Sequence, residues 1–115
     1  MKKGIKKKWL AALRSGEFTQ GMEALRIGEK GHYEYCCLGV LCELHRKEHS
    51  RSWRFNDDGE AEYLGDPIAL PKQVIEWSGL KEPDPIVPGT KQRLSALNDN
   101  GMSFTEIANL IEENL

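Results

Sequence analysis

The chain has 115 residues, 39% of them apolar and 30% charged, and a formal net charge of −2. This length supports one domain around one modest core. The apolar content exceeds that of a disordered chain, and the slight acidity predicts no specific nucleic-acid partner and no anionic membrane surface. No apolar run approaches the roughly 20 residues of a bilayer-spanning helix, and no signal-peptide core follows the basic N-terminus.

Ile5, Trp9, Ala12 and Leu13 fall at helical spacing and predict a first amphipathic helix stopped by Gly16. Residues 23–28 and 32–36 then alternate. Leu25 and Ile27 oppose Arg26, Tyr33 and Tyr35 oppose His32 and Glu34, and the turn over residues 28–31 makes the pair a hairpin. The block Tyr35-Cys36-Cys37-Leu38-Gly39-Val40-Leu41-Cys42-Glu43-Leu44 follows. A segment apolar on every side must be buried on every side, so a central buried helix is expected near 37–47. A weaker second hairpin is read from Trp53 and Phe55, the turn Asn56-Asp57-Asp58-Gly59, and a return over 61–64.

Leu70-Pro71 through Gly79-Leu80 carries the marks of a compact helix, with proline at its first position and glycine past its end. Residues 81–90 hold Pro83, Pro85, Pro88 and Gly89 and read as a loop. Thr90 is expected to cap a short helix containing Leu94 and Leu97. Ser103 and Glu106 form a capping-box pattern for the last helix, whose apolar face is Phe104, Ile107, Ala108, Ile111 and Leu115. The whole reads as a single α+β domain over 1–115, with one or two short antiparallel hairpins packed against four to five helices.

Charge is unevenly placed. Lys2, Lys3, Lys6, Lys7, Lys8 and Arg14 load the first helix, and Glu106, Glu112 and Glu113 the last. Either these are solvated helix faces, or the two termini pack side by side or meet a neighbouring copy.

Catalysis and metal binding are weakly supported. Cys36 or Cys37 at a helix N-terminus has a lowered thiol pKa in principle, but a cysteine nucleophile needs an imidazole in reach. The histidines are His32, His45 and His49. Cys42, His45 and His49 at i, i+3 and i+7 offer one helical face to zinc, with His32 or Cys36 as a fourth ligand, but no second Cys-x-x-Cys pair accompanies them. Core packing is the simpler role for the cysteines. Their odd number, without a spaced disulfide framework, suits reduced thiols in a reducing compartment. Residues 91–98 and 103–114 have the outline of a helix-turn-helix, but the second helix is acidic and would repel phosphates. No P-loop or Gly-x-Gly-x-x-Gly fingerprint is present. What remains are polar residues around the cysteine block: Arg14, Gln20, Arg26, Tyr35, Asn98 and Asp99. Arginine forks and tyrosine faces suit planar anions, and Arg26, between Leu25 and Ile27 on an alternating strand, is the strongest single candidate.

Trp9, Ala12-Leu13-Arg14-Ser15-Gly16, Gln20, Leu25-Arg26, the Cys-Cys-Leu-Gly-Val-Leu-Cys core, Leu70-Pro71, Trp77, Gly79-Leu80, Leu97-Asn98-Asp99 and Ser103-Phe104 together carry a resemblance over nearly the whole chain. The chain resembles a group of small tailed-phage and prophage accessory proteins of unassigned function, in which residues 46–66 and 81–93 look like free insertions. The resemblance implies an accessory protein at work in the bacterial host cytoplasm, and the weak Cys and His patterns above lead to the expectation of no catalytic residue, no resident metal and no cofactor. Its expected role is to sequester a nucleotide-type signal used in defence, or to mask a host protein. In that role Arg14 and Arg26 pair phosphates, Tyr35 stacks, Gln20 lies alongside, and Asn98 and Asp99 read polar edges. A small anionic ligand on so short a chain invites a site shared between copies, hence a homo-oligomer. The alternatives are a cysteine hydrolase or transferase using Cys36 or Cys37, and a small zinc-stabilised adaptor.

Overall fold

In the computed structural model, which describes residues 1–115, α1 (Lys3–Arg14) buries Trp9, Leu10 and Leu13. It ends at Ser15, whose hydroxyl donates to the Ala12 carbonyl at 2.7 Å, and Gly16 follows at φ +77°. Strands β1 (Thr19–Gln20), β2 (Arg26–Ile27) and β3 (Glu34–Tyr35) form one sheet in the order β1-β3-β2. The expected hairpin is β2–β3, with Arg26 opposite Tyr35. The parallel pairing of β1 with β3 was not expected, because two residues carry no readable period.

Helix α2 (Cys37–His49) is the centre of the molecule: Cys37, Leu38, Val40, Leu41 and Cys42 are all fully buried. Cys36 caps it, its sulfur accepting from the Gly39 N–H at 3.4 Å, and Ser50 in the left-handed region ends it two residues later than expected. Strands β4 (Trp53–Phe55) and β5 (Ala61–Tyr63) pair antiparallel, with Trp53 opposite Tyr63. Tyr63 is fully buried, so this hairpin is part of the core and not a free insertion.

Helix α3 (Lys72–Ser78) starts one residue later than expected, with Pro71 as its N-cap and Gly79 at φ +78° behind it. The segment expected to be a loop instead holds β6 (Ile86–Val87), paired antiparallel with β7 (Gln92–Arg93) and anchored by the buried Val87. Thr90 does not cap a helix. Its hydroxyl donates to the Val87 carbonyl at 2.9 Å and accepts from the Gln92 N–H at 3.1 Å, closing the β6–β7 turn. The start of α4 (Leu94–Asp99) is held by Asp84, whose carboxylate accepts from the Ser95 N–H at 3.1 Å and from the Ser95 hydroxyl. Helix α5 (Phe104–Asn114) carries both halves of the Ser103–Glu106 capping box.

The termini pack side by side. Lys6 Nζ donates to the Glu112 carbonyl at 2.9 Å, and Arg14 reaches the Glu112 carboxylate at 3.2 Å and Asn109 at 2.8 Å. One cluster of buried residues runs from Trp9 to Ile111, and the radius of gyration of 13.0 Å is that of a compact domain of this length. The fold is therefore a single small α+β domain with three short hairpins and five helices. No helix is long and apolar enough to cross a membrane.

Candidate functional site

Gly39 sets the site. A Cβ at this position would lie 1.8 Å from the Leu25 carbonyl oxygen, so only glycine lets β2 rest on the first turn of α2. The same carbonyl accepts the Cys36 N–H at 3.2 Å. Leu25 enters the core, and the next residue, Arg26, faces the other way. Because Arg26 is the register partner of Tyr35, both side chains emerge on one face of the sheet. Tyr33, two residues before Tyr35, joins them there. One turn after Gly39, Glu43 floors the same space and Arg46 follows it. The left-handed turn at Ser50 then brings Arg51, Ser52, Trp53 and Phe55 back as the opposite wall. The result is an open cleft of about 370 Å³, within the usual size range of small-ligand sites.

Arg26 is only 7% exposed. Its guanidinium carbon lies 3.9 Å from the centre of the Tyr33 ring and 4.7 Å from that of Trp53, so the cation is held between two aromatic faces. No carboxylate pairs with it, and its Nε is the one buried side-chain nitrogen or oxygen in the protein without a hydrogen-bond partner. A buried charge in this state is costly unless something completes it.

Glu43 is already satisfied. It accepts from Arg46 Nε at 2.7 Å, Arg46 Nη2 at 2.8 Å and Trp53 Nε1 at 2.9 Å, fixing both side chains. Burial pushes its carboxyl up, but the hydrogen bonds from Arg46 and Trp53 outweigh that and hold it below the usual glutamate value. Burial and the Glu43 charge raise the Tyr35 phenol, partly offset by Arg26 beside it, so Tyr35 faces the cleft as a hydrogen-bond donor. Three arginines against one glutamate leave the cleft two charges positive in a chain whose net charge is −2.

Of the six residues picked from the sequence, Arg26 and Tyr35 meet in this cleft and four lie elsewhere. Arg14 is tied to Glu112 and Asn109 on α5. Asn98 is fully buried. Its Oδ1 accepts from Gln20 Nε2 at 2.9 Å and from the Cys37 N–H at 3.2 Å, and its Nδ2 donates to the Gly21 carbonyl at 2.8 Å. Gln20 also donates to the Met102 carbonyl, and Asp99 accepts the Glu23 N–H at 2.9 Å. Gln20, Asn98 and Asp99 thus lock β1, α2 and α4 together and lie outside this cleft. Tyr35 does not stack either: it is 8% exposed and packs edge-on against Phe18 and Trp53. Glu43, Arg46, Arg51 and Trp53 escaped the sequence reading. Their signals were a lone acid one turn past Gly39 in the apolar block, and the alternation Arg51-Ser52-Trp53-Arg54-Phe55.

The cysteines and histidines form no second centre. All three thiols are buried; burial raises Cys36 to about 11 and holds Cys37 and Cys42 well above the ordinary thiol value. Cys42, His45 and His49 do not converge, and no three His, Cys, Asp or Glu side chains are placed to hold a metal ion. Instead His45 Nδ1 bonds to the Tyr63 hydroxyl at 2.5 Å, and His49 Nδ1 donates to the His45 carbonyl at 3.0 Å. The two imidazoles stack at 4.0 Å, with the Trp77 ring edge-on to both.

This pair has a consequence for stability. Burial, then the neighbouring His49 and Arg51, lowers the His45 imidazole from 6.5 to about 4, with Glu48 opposing. The folded state binds this proton less readily than the unfolded chain, so the contribution is full above pH 6.5 and is lost as pH falls toward 4. Chemical denaturation at pH 7 and pH 5 is expected to differ by about 2 kcal/mol from this group. His45→Gln should flatten the difference; an unchanged slope in that variant would assign it elsewhere.

The fold and the cleft define a small α+β domain with one basic, aromatic-walled cavity. The chain belongs to the family described as a domain of unknown function, DUF8296, whose model matches residues 1–115. No curated protein and no solved structure matches it.

Proposed function

We propose that this protein is a non-enzymatic binding protein that takes a small anionic ligand of nucleotide type into the Arg26 cleft. The single observation that supports this most is the buried Arg26 guanidinium, without a carboxylate partner and with its Nε unsatisfied, held between Tyr33 and Trp53. Burial without a counter-ion is what a site prepared for an anion looks like before the anion arrives. The phage resemblance adds the setting: an accessory protein in the bacterial host cytoplasm, sequestering a nucleotide-type signal and so blunting defence. The cleft is open on one side, and a second copy laid over the exposed Phe55 would enclose a ligand, which is the homo-oligomeric form of the proposal.

Native mass spectrometry of protein taken directly from phage-challenged bacteria tests retention and assembly together. Calorimetry against a nucleotide panel tests affinity. A retained small anion is expected, with Arg26→Gln weakening its binding about 10- to 100-fold, the worth of one charged hydrogen-bonding group. A bare chain and no heat from any nucleotide would end the reading.

A further inference from the structure

We infer that the cleft recognises its ligand by a phosphoryl group and is indifferent to the base; the inference rests on the small-anion reading above and deepens it. Two features carry it, and the first is the balance of donors and acceptors. Arg26, Arg51 and the Tyr35 phenol face the cleft as donors, and the edge of Arg46 turned away from Glu43 adds more. The one carboxylate, Glu43, already accepts three hydrogen bonds from Arg46 and Trp53. A nucleobase edge presents donors as well as acceptors, and beyond the already occupied Glu43 its donors would find only the neutral hydroxyls of Tyr33, Tyr35 and Ser52 to accept them. A phosphoryl group presents acceptors only, and its one or two negative charges match the two positive charges of the cleft.

The second feature is the use of the aromatic faces. The surfaces of Tyr33 and Trp53 that face one another are covered by the Arg26 guanidinium. Tyr35 is held edge-on between Phe18 and Trp53, with ring centres 5.3 Å and 6.2 Å away. A base therefore has no inner face on which to stack. Phe55, 64% exposed at the rim, is the remaining aromatic, and it would cover a base loosely without selecting it. Arg51 is solvent-exposed and has no carboxylate partner, so it is free to close on a phosphoryl group from the open side.

Calorimetry with inorganic phosphate, pyrophosphate, ribose 5-phosphate, the four common nucleoside 5′-monophosphates and their nucleosides tests the inference. Succinate serves as a carboxylate control, and a phosphotyrosine peptide as a macromolecular source of the same group. Ribose 5-phosphate and the four monophosphates should agree within about tenfold, and the nucleosides should bind at least about 100-fold more weakly. Arg51→Ala, a change at an exposed position, should weaken every phosphorylated probe by about tenfold while leaving the melting temperature unchanged. Phe55→Ala should remove whatever advantage the monophosphates hold over ribose 5-phosphate.

A nucleoside that binds as tightly as its monophosphate overturns the inference and leaves the nucleotide reading standing. Succinate equal to phosphate overturns it in favour of a carboxylate ligand. Binding of the phosphopeptide alone overturns the small-molecule ligand. Silence from every probe sinks both the inference and the proposed function.

Discussion

Replacing Gly39 with alanine is expected to destabilise the protein by about 3–5 kcal/mol, a loss of the size reserved for severe core overpacking. The new methyl would sit 1.8 Å from the Leu25 oxygen and 2.7 Å from its carbonyl carbon. These are backbone atoms of the residue that leads into β2, so no rotamer change relieves the contact; either the strand or the helix must move. Helix propensity works the other way, since alanine is better than glycine by about 1 kcal/mol inside a helix, and the steric term must exceed it. Gly4→Ala in α1 is the control: nothing lies within 4 Å of its Cβ, so it should be neutral or stabilising by a few tenths to 1 kcal/mol. Urea denaturation of the two variants measures both effects. A Gly39 variant as stable as the Gly4 one would refute the close approach of β2 to α2.

The same displacement reaches the cleft. Arg26 is the residue after Leu25, so moving the Leu25 carbonyl moves the guanidinium out from between Tyr33 and Trp53. Fold and site are therefore one construction. The thiols of the cysteine block are buried, and what the block supplies to the cleft is a helix small enough at one position for the chain leading into β2 to lie on it. That strand carries the buried arginine. Ligand binding and stability should fall together at Gly39, whereas Arg51→Ala should separate them.

The extent to which the sequence announces this arrangement depends on the length of each signal. The 37–42 block has one reading, burial, because every side is apolar, and all its bulky members are at 0% exposure. Alternation over 23–28 and 32–36 sets Arg26 apart from Leu25 and Ile27, and Tyr33 and Tyr35 apart from their neighbours, but it is the register of Arg26 opposite Tyr35 that brings the three into one cleft. Ile27 was grouped with Leu25, yet it is 40% exposed, because a two-residue strand at a sheet edge has little to cover it. Strands β1, β6 and β7 have two residues each and leave no periodic trace. The wall formed by Arg51 and Trp53 depends on the left-handed turn at Ser50, and a serine gives no notice of that conformation in the way a glycine does. Asn98 and Asp99 drew attention as polar residues in an apolar setting. That setting is equally what a satisfied structural amide requires, and only the hydrogen-bond partners tell the two apart.

Asn98 gives the sharpest separation between these two roles. Asn98→Ala removes the acceptor for Gln20 Nε2 and the Cys37 N–H and the donor to the Gly21 carbonyl, in a position with no exposed surface. Leaving such groups unpaired is expected to cost about 2–4 kcal/mol, lowering the melting temperature by roughly 10–20 °C at this chain length. Asn98→Asp is expected to be no better at neutral pH. It keeps the acceptor for Cys37 and Gln20 but turns a carboxylate oxygen toward the Gly21 carbonyl and adds a charge next to Asp99. If Asn98 were instead a ligand reader, alanine would leave the melting temperature alone and abolish binding. Thermal unfolding followed by calorimetry below the lowered transition distinguishes the outcomes: the structural role predicts a large drop in stability with nucleotide affinity retained by the molecules that remain folded. The Cys37 N–H that Asn98 accepts lies in the first turn of α2, two residues before Gly39, so the amide secures from the α4 side the same helix end on which β2 rests.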